Sequence, residues 1–259
     1  MEEHNFKKQF GQNFLRNIEW IMNFVEAAEL DKDDLVVEIG PGDGAITNFI
    51  LQQVKELIAI EIDFDLVKHL NEIFEDYKNF KVIQADVLQW NIDKTIKDRD
   101  YKVVGALPYN ISKQIIKKFF EQEHKPESLT FILQNEVALK YSAQAPKATF
   151  LSNYAALHSD VEYVSKIPNT DFYPVPAVDG GIIHIKNFKD NINQKLVRFI
   201  RLGFSQPRKK LSKNLSNYGY EKKDVESALV DLGHKDSARA GELTIEQWQT
   251  LFDTLQLDE

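Results

Sequence analysis

Apolar residues in the first two thirds of the chain form short runs that alternate with segments of helical spacing. Near-continuous apolar runs of four or five residues are typical of strands in a parallel sheet that is covered on both faces. Strands are predicted at 35–39, 57–60, 81–85, 101–104, 129–133 and 181–185, and helices at 18–28, 46–54, 64–77 and 112–123. This alternation predicts an α/β fold with a doubly wound, Rossmann-like sheet.

The pattern of apolar positions changes after Asn187. From Leu196 to Leu255, apolar residues recur at helical spacing and no strand-like run interrupts them. Glycines fall between these segments, as expected of turns and helix C-caps. We therefore predict a Rossmann-like domain over 1–187 and a smaller C-terminal helical domain over 188–259.

Composition narrows the class of protein. A chain of 259 residues can bury a full core, and the absence of cysteine excludes disulfides, thiolate chemistry and cysteine-based zinc sites. No apolar run is long enough to span a bilayer, and the acidic start lacks the features of a secretory signal. The six histidines lack metal-ligand spacing. We expect a cytoplasmic monomer with no membrane partner and no metal.

The net charge of −8 argues against a polyanionic partner, but the charge is unevenly distributed. The block 186–223 has 11 Lys and Arg against 2 Asp and Glu, whereas the segment 224–259 has 2 against 9. Arg208, Lys209 and Lys210 lie within the basic block. The block is either a solvated helix face or a footprint for a nucleic acid, and charge alone leaves both interpretations open.

A glycine-rich turn follows the first predicted strand of the sheet. Gly40 and Gly42 would let the backbone approach a ligand closely at the start of a helix. Glu61 closes the next strand, where a carboxylate can accept both hydroxyls of a ribose, and Asp86 follows the third, where it can accept an adenine amine. These residues predict a nucleoside-containing cofactor, and by themselves they do not separate S-adenosylmethionine from NAD.

Five ordered motifs extend over nearly the whole chain. They are QFGQNFL at 9–15, VEIGPGDG at 37–44 with ADVL at 85–88, YPVPAVD at 173–179, FSQPRKKL at 204–211 and RAGELT at 239–244. In this order they resemble the ribosomal RNA adenine N6-dimethyltransferase family, which includes the KsgA-type enzymes and the Erm resistance methylases. The C-terminal motifs favour the KsgA type.

The resemblance implies a cofactor, a reaction and a partner. The cofactor would be S-adenosylmethionine, with Asn13 and Leu15 closing over its methionine end. The reaction would be N6-dimethylation of two adjacent adenosines near the 3′ end of small-subunit (16S) rRNA, with a role in small-subunit maturation. The partner would be this rRNA or the immature 30S subunit, contacted through Arg208, Lys209 and Lys210.

The family's target-base motif is Asn, Leu or Ile, Pro, and Tyr or Phe, and it corresponds here to Ala106, Leu107, Pro108 and Tyr109. In the family, the Asn side chain and the next backbone carbonyl accept hydrogen bonds from the adenine amine, while the aromatic ring stacks on the extruded base. A second aromatic, at the position of Phe172, helps to sandwich the base, although Phe172 is also suited to core packing.

Ala106 departs from this motif because alanine cannot accept the hydrogen bond. We interpret it as a sign of impaired or engineered activity in a chain whose other motif residues match. A natural site with weak activity and a catalytically silent ribosome-assembly factor are the alternatives.

Three lysines follow the motif at helical spacing: Lys113, Lys117 and Lys118. We expect them to contact either RNA phosphates or solvent, and the sequence leaves both interpretations open.

Overall fold

The structure is a computed structural model, and it describes residues 13–255. Two sheets occur in this range, a central one of seven strands and a small one of two. The strands are β1 (Phe14–Leu15), β2 (Leu35–Ile39), β3 (Glu56–Glu61), β4 (Phe80–Gln84), β5 (Lys102–Ala106), β6 (Ser128–Gln134), β7 (Asp160–Ile167), β8 (Phe172–Tyr173) and β9 (Gly180–Lys186).

Helices separate most of the strands and form the whole regular structure after β9. They are α1 (Ile18–Ala27), α2 (Thr47–Ile50), α3 (Phe64–Ile73), α4 (Asp93–Ile96), α5 (Ser112–Glu121), α6 (Asn135–Ser142), α7 (Phe150–His158), α8 (Gln194–Gly203), α9 (Leu211–Ser216), α10 (Lys222–Asp231) and α11 (Ile245–Thr254). Within the described range, the predicted α/β fold with a Rossmann-like sheet and a helical C-terminal part is confirmed.

The central sheet has the strand order β4-β3-β2-β5-β6-β9-β7. Neighbours from β4 to β6 are parallel, as the apolar runs predicted. β9 is antiparallel to β6, with Ser128 opposite Lys186 and Gln134 opposite Gly180, so the sheet is mixed rather than wholly parallel. An apolar run is equally compatible with either direction when both faces are covered, which is why periodicity did not reveal the reversal.

The parallel strands place their carboxyl ends at one edge of the sheet. β2 is buried along its whole length, including Glu38, and it pairs with β3 on one side and β5 on the other. The segments that follow β2, β3, β4 and β5 therefore converge, and in open α/β sheets this edge is where ligands bind.

The chain divides into two compact units. Within the described range, one comprises residues 13–138 together with 162–188, and the other comprises 139–161 together with 189–255. The sequence predicts a single domain boundary between residues 187 and 188, where strand-like runs end. The units of the structure differ because α7 belongs with the C-terminal helices. Since α7 is followed in the chain by β7, the order of the elements does not reveal that it belongs to the second unit.

The second unit has its own apolar core. Phe199 and Trp248 lie at its centre in an edge-to-face pair with ring centroids 5.8 Å apart. Gly203, the last residue of α8, faces the same indole, and a Cβ at this position would collide with it. The other fully buried side chains of this core recur at the helical spacing seen in the sequence, among them Leu211, Leu215, Val225, Leu229 and Leu251.

Candidate active site

A pocket lies at the carboxyl ends of the parallel strands, entirely within the first unit. Ten residues proposed from the sequence for the cofactor and the target base line it: Asn13, Leu15, Gly40, Gly42, Glu61, Asp86, Ala106, Leu107, Pro108 and Tyr109. Arg208, Lys209 and Lys210 are exposed residues of the second unit and are not among the residues lining this pocket.

The glycine-rich turn has the backbone conformation that glycine favours. Gly40 has a φ of +67° and Gly42 a φ of +62°, both in the left-handed region that L side chains rarely adopt. A Cβ at Gly42 would also lie 2.5 Å from Cε1 of Phe14, so the ring of Phe14 rests directly on the turn. Glycine is thus required at Gly42 both for conformation and for space.

Glu61 is buried at the end of β3, and its orientation is fixed by the backbone. Its Oε1 accepts hydrogen bonds from the N–H groups of Ile62 at 2.8 Å and Asp63 at 2.9 Å. Burial raises the pKa of Glu61, and the backbone hydrogen bonds, including one from Gly42, oppose that rise. The carboxylate is therefore held at the pocket wall, where it suits a pair of ribose hydroxyls.

Glu38 lies one strand away, and it is more deeply buried. The hydroxyl of Thr47 donates to its Oε2 at 2.7 Å. Burial raises the pKa of Glu38 to about 8, and the nearby charge of Glu61 contributes to the rise. Glu38 thus ties the end of β2 to the start of α2, on either side of the glycine-rich turn.

Asp86 follows β4 and is half-buried at the pocket. Its Oδ1 accepts from the N–H of Leu88 at 2.9 Å and its Oδ2 from the side-chain amide of Gln89 at 3.1 Å. The carbonyl oxygen of Asp86 also accepts from the N–H of Trp90 at 2.8 Å. Asp86 is therefore part of a compact turn that fixes its carboxylate at the lining of the pocket.

The base motif begins at the last residue of β5. Ala106 lies opposite Ile132 of β6, and the N–H of Leu107 donates to the Ile132 carbonyl at 3.0 Å. The Pro108 carbonyl accepts from the N–H of Ser112 at 3.1 Å, so the motif leads directly into α5. The side chain at position 106 offers no acceptor to the pocket. Asn110 is exposed and is not among the lining residues.

Tyr109 brings a buried hydroxyl to this part of the pocket. The hydroxyl oxygen has no hydrogen-bond partner among the described residues. Burial raises the pKa of Tyr109 to about 12, and the charge of Asp179 adds to the rise. A buried polar atom without a protein partner is unusual and is consistent with a ligand or solvent partner at this position.

Two residues near the start of the described range were not predicted as part of this site. Phe14 lines the pocket, and Arg16 forms an ion pair with Asp43 of the glycine-rich turn. They reach the site because β1 pairs with β8, with Leu15 opposite Phe172. This pairing joins segments more than 150 residues apart, so no local spacing could have indicated it. It also places Phe172, buried, in the pocket wall.

The pocket fits S-adenosylmethionine in the chemistry of its lining. It combines a turn that requires glycine, a fixed buried carboxylate suited to a ribose and a second carboxylate suited to an adenine amine. Among residues 13–255, no helix is long and apolar enough to cross a membrane. The same range contains no group of three or more His, Cys, Asp or Glu side chains arranged to hold a metal ion.

Known proteins resemble this chain over nearly its whole length. The family model described as "Ribosomal RNA adenine dimethylase" matches residues 3–257. Relatives named "Ribosomal RNA small subunit methyltransferase A" include one from Mycoplasma mobile, 36% identical over 258 residues, which are 96% of this chain and 98% of the relative. One from Fusobacterium nucleatum is 32% identical over 258 residues, covering 96% and 97%.

Two solved structures have a fold similar to that of this chain over nearly its whole length. The crystal structure of the 23S rRNA methyltransferase ErmE matches with a TM-score of 0.79 and 28% identity, covering 94% of this chain and all of that one. A dimethyladenosine transferase from Plasmodium falciparum has the same fold, with a TM-score of 0.78 at 21% identity, covering 94% and 98%. The resemblance inferred from the motifs is confirmed, and so is S-adenosylmethionine as the cofactor of the family. This chain belongs to the ribosomal RNA adenine dimethylase family of S-adenosylmethionine-dependent methyltransferases.

Proposed function

We propose that this chain dimethylates N6 of two adjacent adenosines near the 3′ end of 16S rRNA and acts during maturation of the 30S subunit. The observation that carries the proposal is the near full-length match to relatives named for the small subunit. ErmE, named for 23S rRNA, shares the fold, so fold alone does not choose between the two RNAs. The names of the sequence relatives therefore support 16S rRNA as the proposed substrate.

In the proposed site, the first unit's own residues hold both reactants. Glu61 accepts the ribose hydroxyls, and Asp86 accepts the adenine amine of the cofactor. Gly40 and Gly42 allow the backbone to approach closely, and Asn13 and Leu15 cover the methionine end. When bound, S-adenosylmethionine supplies an electrophilic methyl group on a sulfonium.

The target adenine needs help from the protein because its exocyclic amine is a weak nucleophile. The nitrogen lone pair is delocalised into the ring, and acceptors that bind the amine hydrogens localise it again. The Leu107 carbonyl is the proposed acceptor. Tyr109 would stack on the extruded base, and Phe172 also lines the pocket.

Ala106 favours a second candidate function. Removing one positioned polar group from an active site costs on the order of 10²–10³ in rate. Asn110 does not line the pocket, so its side chain does not replace the carboxamide that the family motif has at position 106. A chain that kept its RNA-binding surface but lost this group would act as a catalytically silent ribosome-assembly factor. We favour an impaired enzyme, natural or engineered, because the surrounding site is intact.

The substitution Ala106→Asn tests the proposal. We expect it to raise methyl transfer from labelled S-adenosylmethionine to immature 30S particles at least tenfold, since one restored acceptor is worth on the order of 10²–10³. Ala106→Leu is the matched control, because the leucine side chain has the same number and branching of heavy atoms as asparagine but no acceptor. It should not raise the rate.

Two results would contradict this account. Equal rates for the unmodified chain and Ala106→Asn would remove the proposed mechanism from this chain. Methyl transfer that stays absent from the unmodified chain at enzyme in excess over particles, but appears in Ala106→Asn, would support the silent assembly factor. Mapping the methylated positions in the RNA then identifies the adenosines directly.

A further inference from the structure

Lys118 has an environment unlike those of the other lysines that follow the base motif. Lys113 and Lys117 are exposed on α5, and Lys117 forms an ion pair with Glu121 at 3.6 Å. The side chain of Lys118 is half-buried instead, and its ammonium group reaches across to the segment that follows β4. It is therefore poorly placed to contact RNA phosphates.

The ammonium group of Lys118 binds three backbone carbonyls of that segment. It donates to Val87 at 2.7 Å, to Leu88 at 3.4 Å and to Trp90. An ammonium has three protons to donate and no acceptor, so three carbonyls match its full capacity. Hydrogen bonds from a charged donor are about twice as strong as neutral ones.

The three carbonyls belong to the turn that carries Asp86. The Leu88 N–H donates to the Asp86 carboxylate, and the Trp90 N–H donates to the Asp86 carbonyl. Lys118 thus binds the carbonyl oxygens of two residues whose N–H groups orient Asp86. The charge of Asp86 also attracts the ammonium, against the desolvation that lowers the pKa of Lys118.

The same contact joins the two halves of the pocket. α5 starts directly after the base motif, since the Pro108 carbonyl accepts from the N–H of Ser112 at its first turn. Lys118 lies on this helix, while Asp86 lies on the proposed cofactor side. One side chain therefore links the helix of the base motif to the turn of the proposed adenine site.

We propose that Lys118 is a positioning residue for the adenine end of the cofactor, acting by holding the Asp86 turn in place. This inference rests on the proposed function, in which Asp86 accepts the adenine amine. Lys118 does not touch the cofactor in this scheme. It determines where the Asp86 carboxylate lies and so controls the preference for an amine at that position.

The test compares two ligands by isothermal titration calorimetry: S-adenosylhomocysteine and S-inosylhomocysteine, which has an oxygen in place of the adenine amine. We expect the unmodified chain to prefer the adenosine compound about tenfold or more, because one hydrogen bond to a charged group is worth about that factor. Lys118→Met, which keeps the aliphatic stem, should reduce the preference to within about threefold. Lys117→Met is the matched control and should keep the full preference.

A role limited to stability predicts a different result. In that case Lys118→Met would weaken the binding of both compounds by the same factor, or of neither, and the preference would stay unchanged. An unchanged preference overturns the inference. If Lys118→Met does not fold, Lys118→Gln is measured in the same way, since its amide can still donate to two carbonyls. We then expect an intermediate preference, and a full preference overturns the inference.

The design separates this inference from the proposed function. An unmodified chain that binds no S-adenosylhomocysteine overturns the proposed function and, with it, the inference. A second outcome overturns the inference alone: the unmodified chain binds S-adenosylhomocysteine tightly, Asp86→Ala abolishes the preference for it, and Lys118→Met leaves that preference intact. In a double-mutant cycle, the two substitutions should be strongly non-additive in the preference, because both act on one hydrogen bond.

Discussion

At the scale of single residues, Glu38 is an ionisable group in an unusual environment. It is buried within β2, accepts a hydrogen bond from Thr47 and has its pKa raised to about 8 by burial. At neutral pH the folded chain therefore holds a proton on this carboxyl, whereas the unfolded chain releases it above its ordinary pKa of 4.5. Folding thus takes up a proton at Glu38 between these two values.

Stability should consequently fall as the pH rises from about 4.5 to about 8, because the unfolded state binds fewer protons in this window. We expect Glu38→Gln, which can still accept from Thr47, to remove this contribution. Its melting temperature should exceed that of the unmodified chain by at least about 3 °C at pH 8, and the difference should shrink toward pH 5. Differential scanning calorimetry over this range provides the measurement.

The control for this prediction is Glu72→Gln, which alters an exposed carboxylate on α3. It should leave the pH dependence unchanged. A Glu38→Gln variant that melts at the same temperature as the unmodified chain at both pH values would show that the folded chain does not hold this proton.

At the scale of elements, the segment between α8 and α9 carries Arg208, Lys209 and Lys210. The side-chain amide of Asn214 donates to the carbonyls of Gly203 at 2.5 Å and Gln206 at 3.1 Å, which fixes the start of this segment. The close packing of Gly203 on Trp248 sets the end of α8. The three basic residues are therefore exposed on a segment whose first residues are held in place by buried contacts.

Gly203→Ala tests this packing. Alanine normally favours a helix over glycine by up to about 1 kcal/mol, but here the added methyl group would collide with the Trp248 ring and approach Leu211. We expect a net loss of about 1–3 kcal/mol in the free energy of unfolding, as for an overpacked core. Urea denaturation measures it.

Trp248→Phe supplies the matched test for this loss. The smaller ring leaves space for the methyl group, so the double variant should be more stable than the sum of the two single changes predicts. Additive losses would mean that the methyl group at position 203 does not meet the indole.

The elements also show how far sequence reasoning extends. β2, β3, β5, β6 and β9 were predictable because each is buried on both faces and contains an apolar run. β7 was not, because its residues are mostly half-buried or exposed and no continuous run forms. β1 and β8 have two residues each, too few to show any period.

At the scale of the whole molecule, the acidic net charge and the proposed RNA partner are compatible only if basic residues are concentrated. The block 186–223 supplies that concentration, and nearly all of it lies in the second unit. Arg208, Lys209 and Lys210 are exposed there, and their proposed role as RNA contacts follows from the family resemblance together with this exposure. Binding through phosphate contacts should depend strongly on salt.

Reversal of the charges at Arg208, Lys209 and Lys210 to glutamate should weaken binding to 16S rRNA or 30S particles. The slope of log affinity against log salt concentration should also become shallower by about 2–3, because about three phosphate contacts are lost. Filter binding between 50 and 200 mM salt is a suitable measurement. A slope that stays the same would assign these residues to solvation.

The control carries the same change in net charge at another place. Lys68, Lys78 and Lys81 are exposed lysines of the first unit. Their substitution by glutamate should lower the affinity slightly through the overall charge. It should change the salt dependence of binding much less than the same substitutions at Arg208, Lys209 and Lys210.

The candidate site was more predictable than the path of the chain around it. Glu61 and Asp86 could be located because strand order alone brings the carboxyl ends of parallel strands together. Phe14 and Arg16 could not, since they join the site only through the pairing of β1 with β8. The contacts of Lys118 were not predictable either, because a lysine on α5 has the same sequence spacing whether its side chain meets solvent or backbone carbonyls.

The short pairing of β1 with β8 has a consequence for the stability of the pocket lining. Leu15 and Phe172 are opposite each other in this ribbon, and both line the pocket and belong to the buried apolar core. A ribbon of two residue pairs has little cooperative strength of its own, so it depends on this burial. A substitution that loosens the ribbon should therefore lower the free energy of unfolding and change the shape of the pocket together, because the same two side chains serve both.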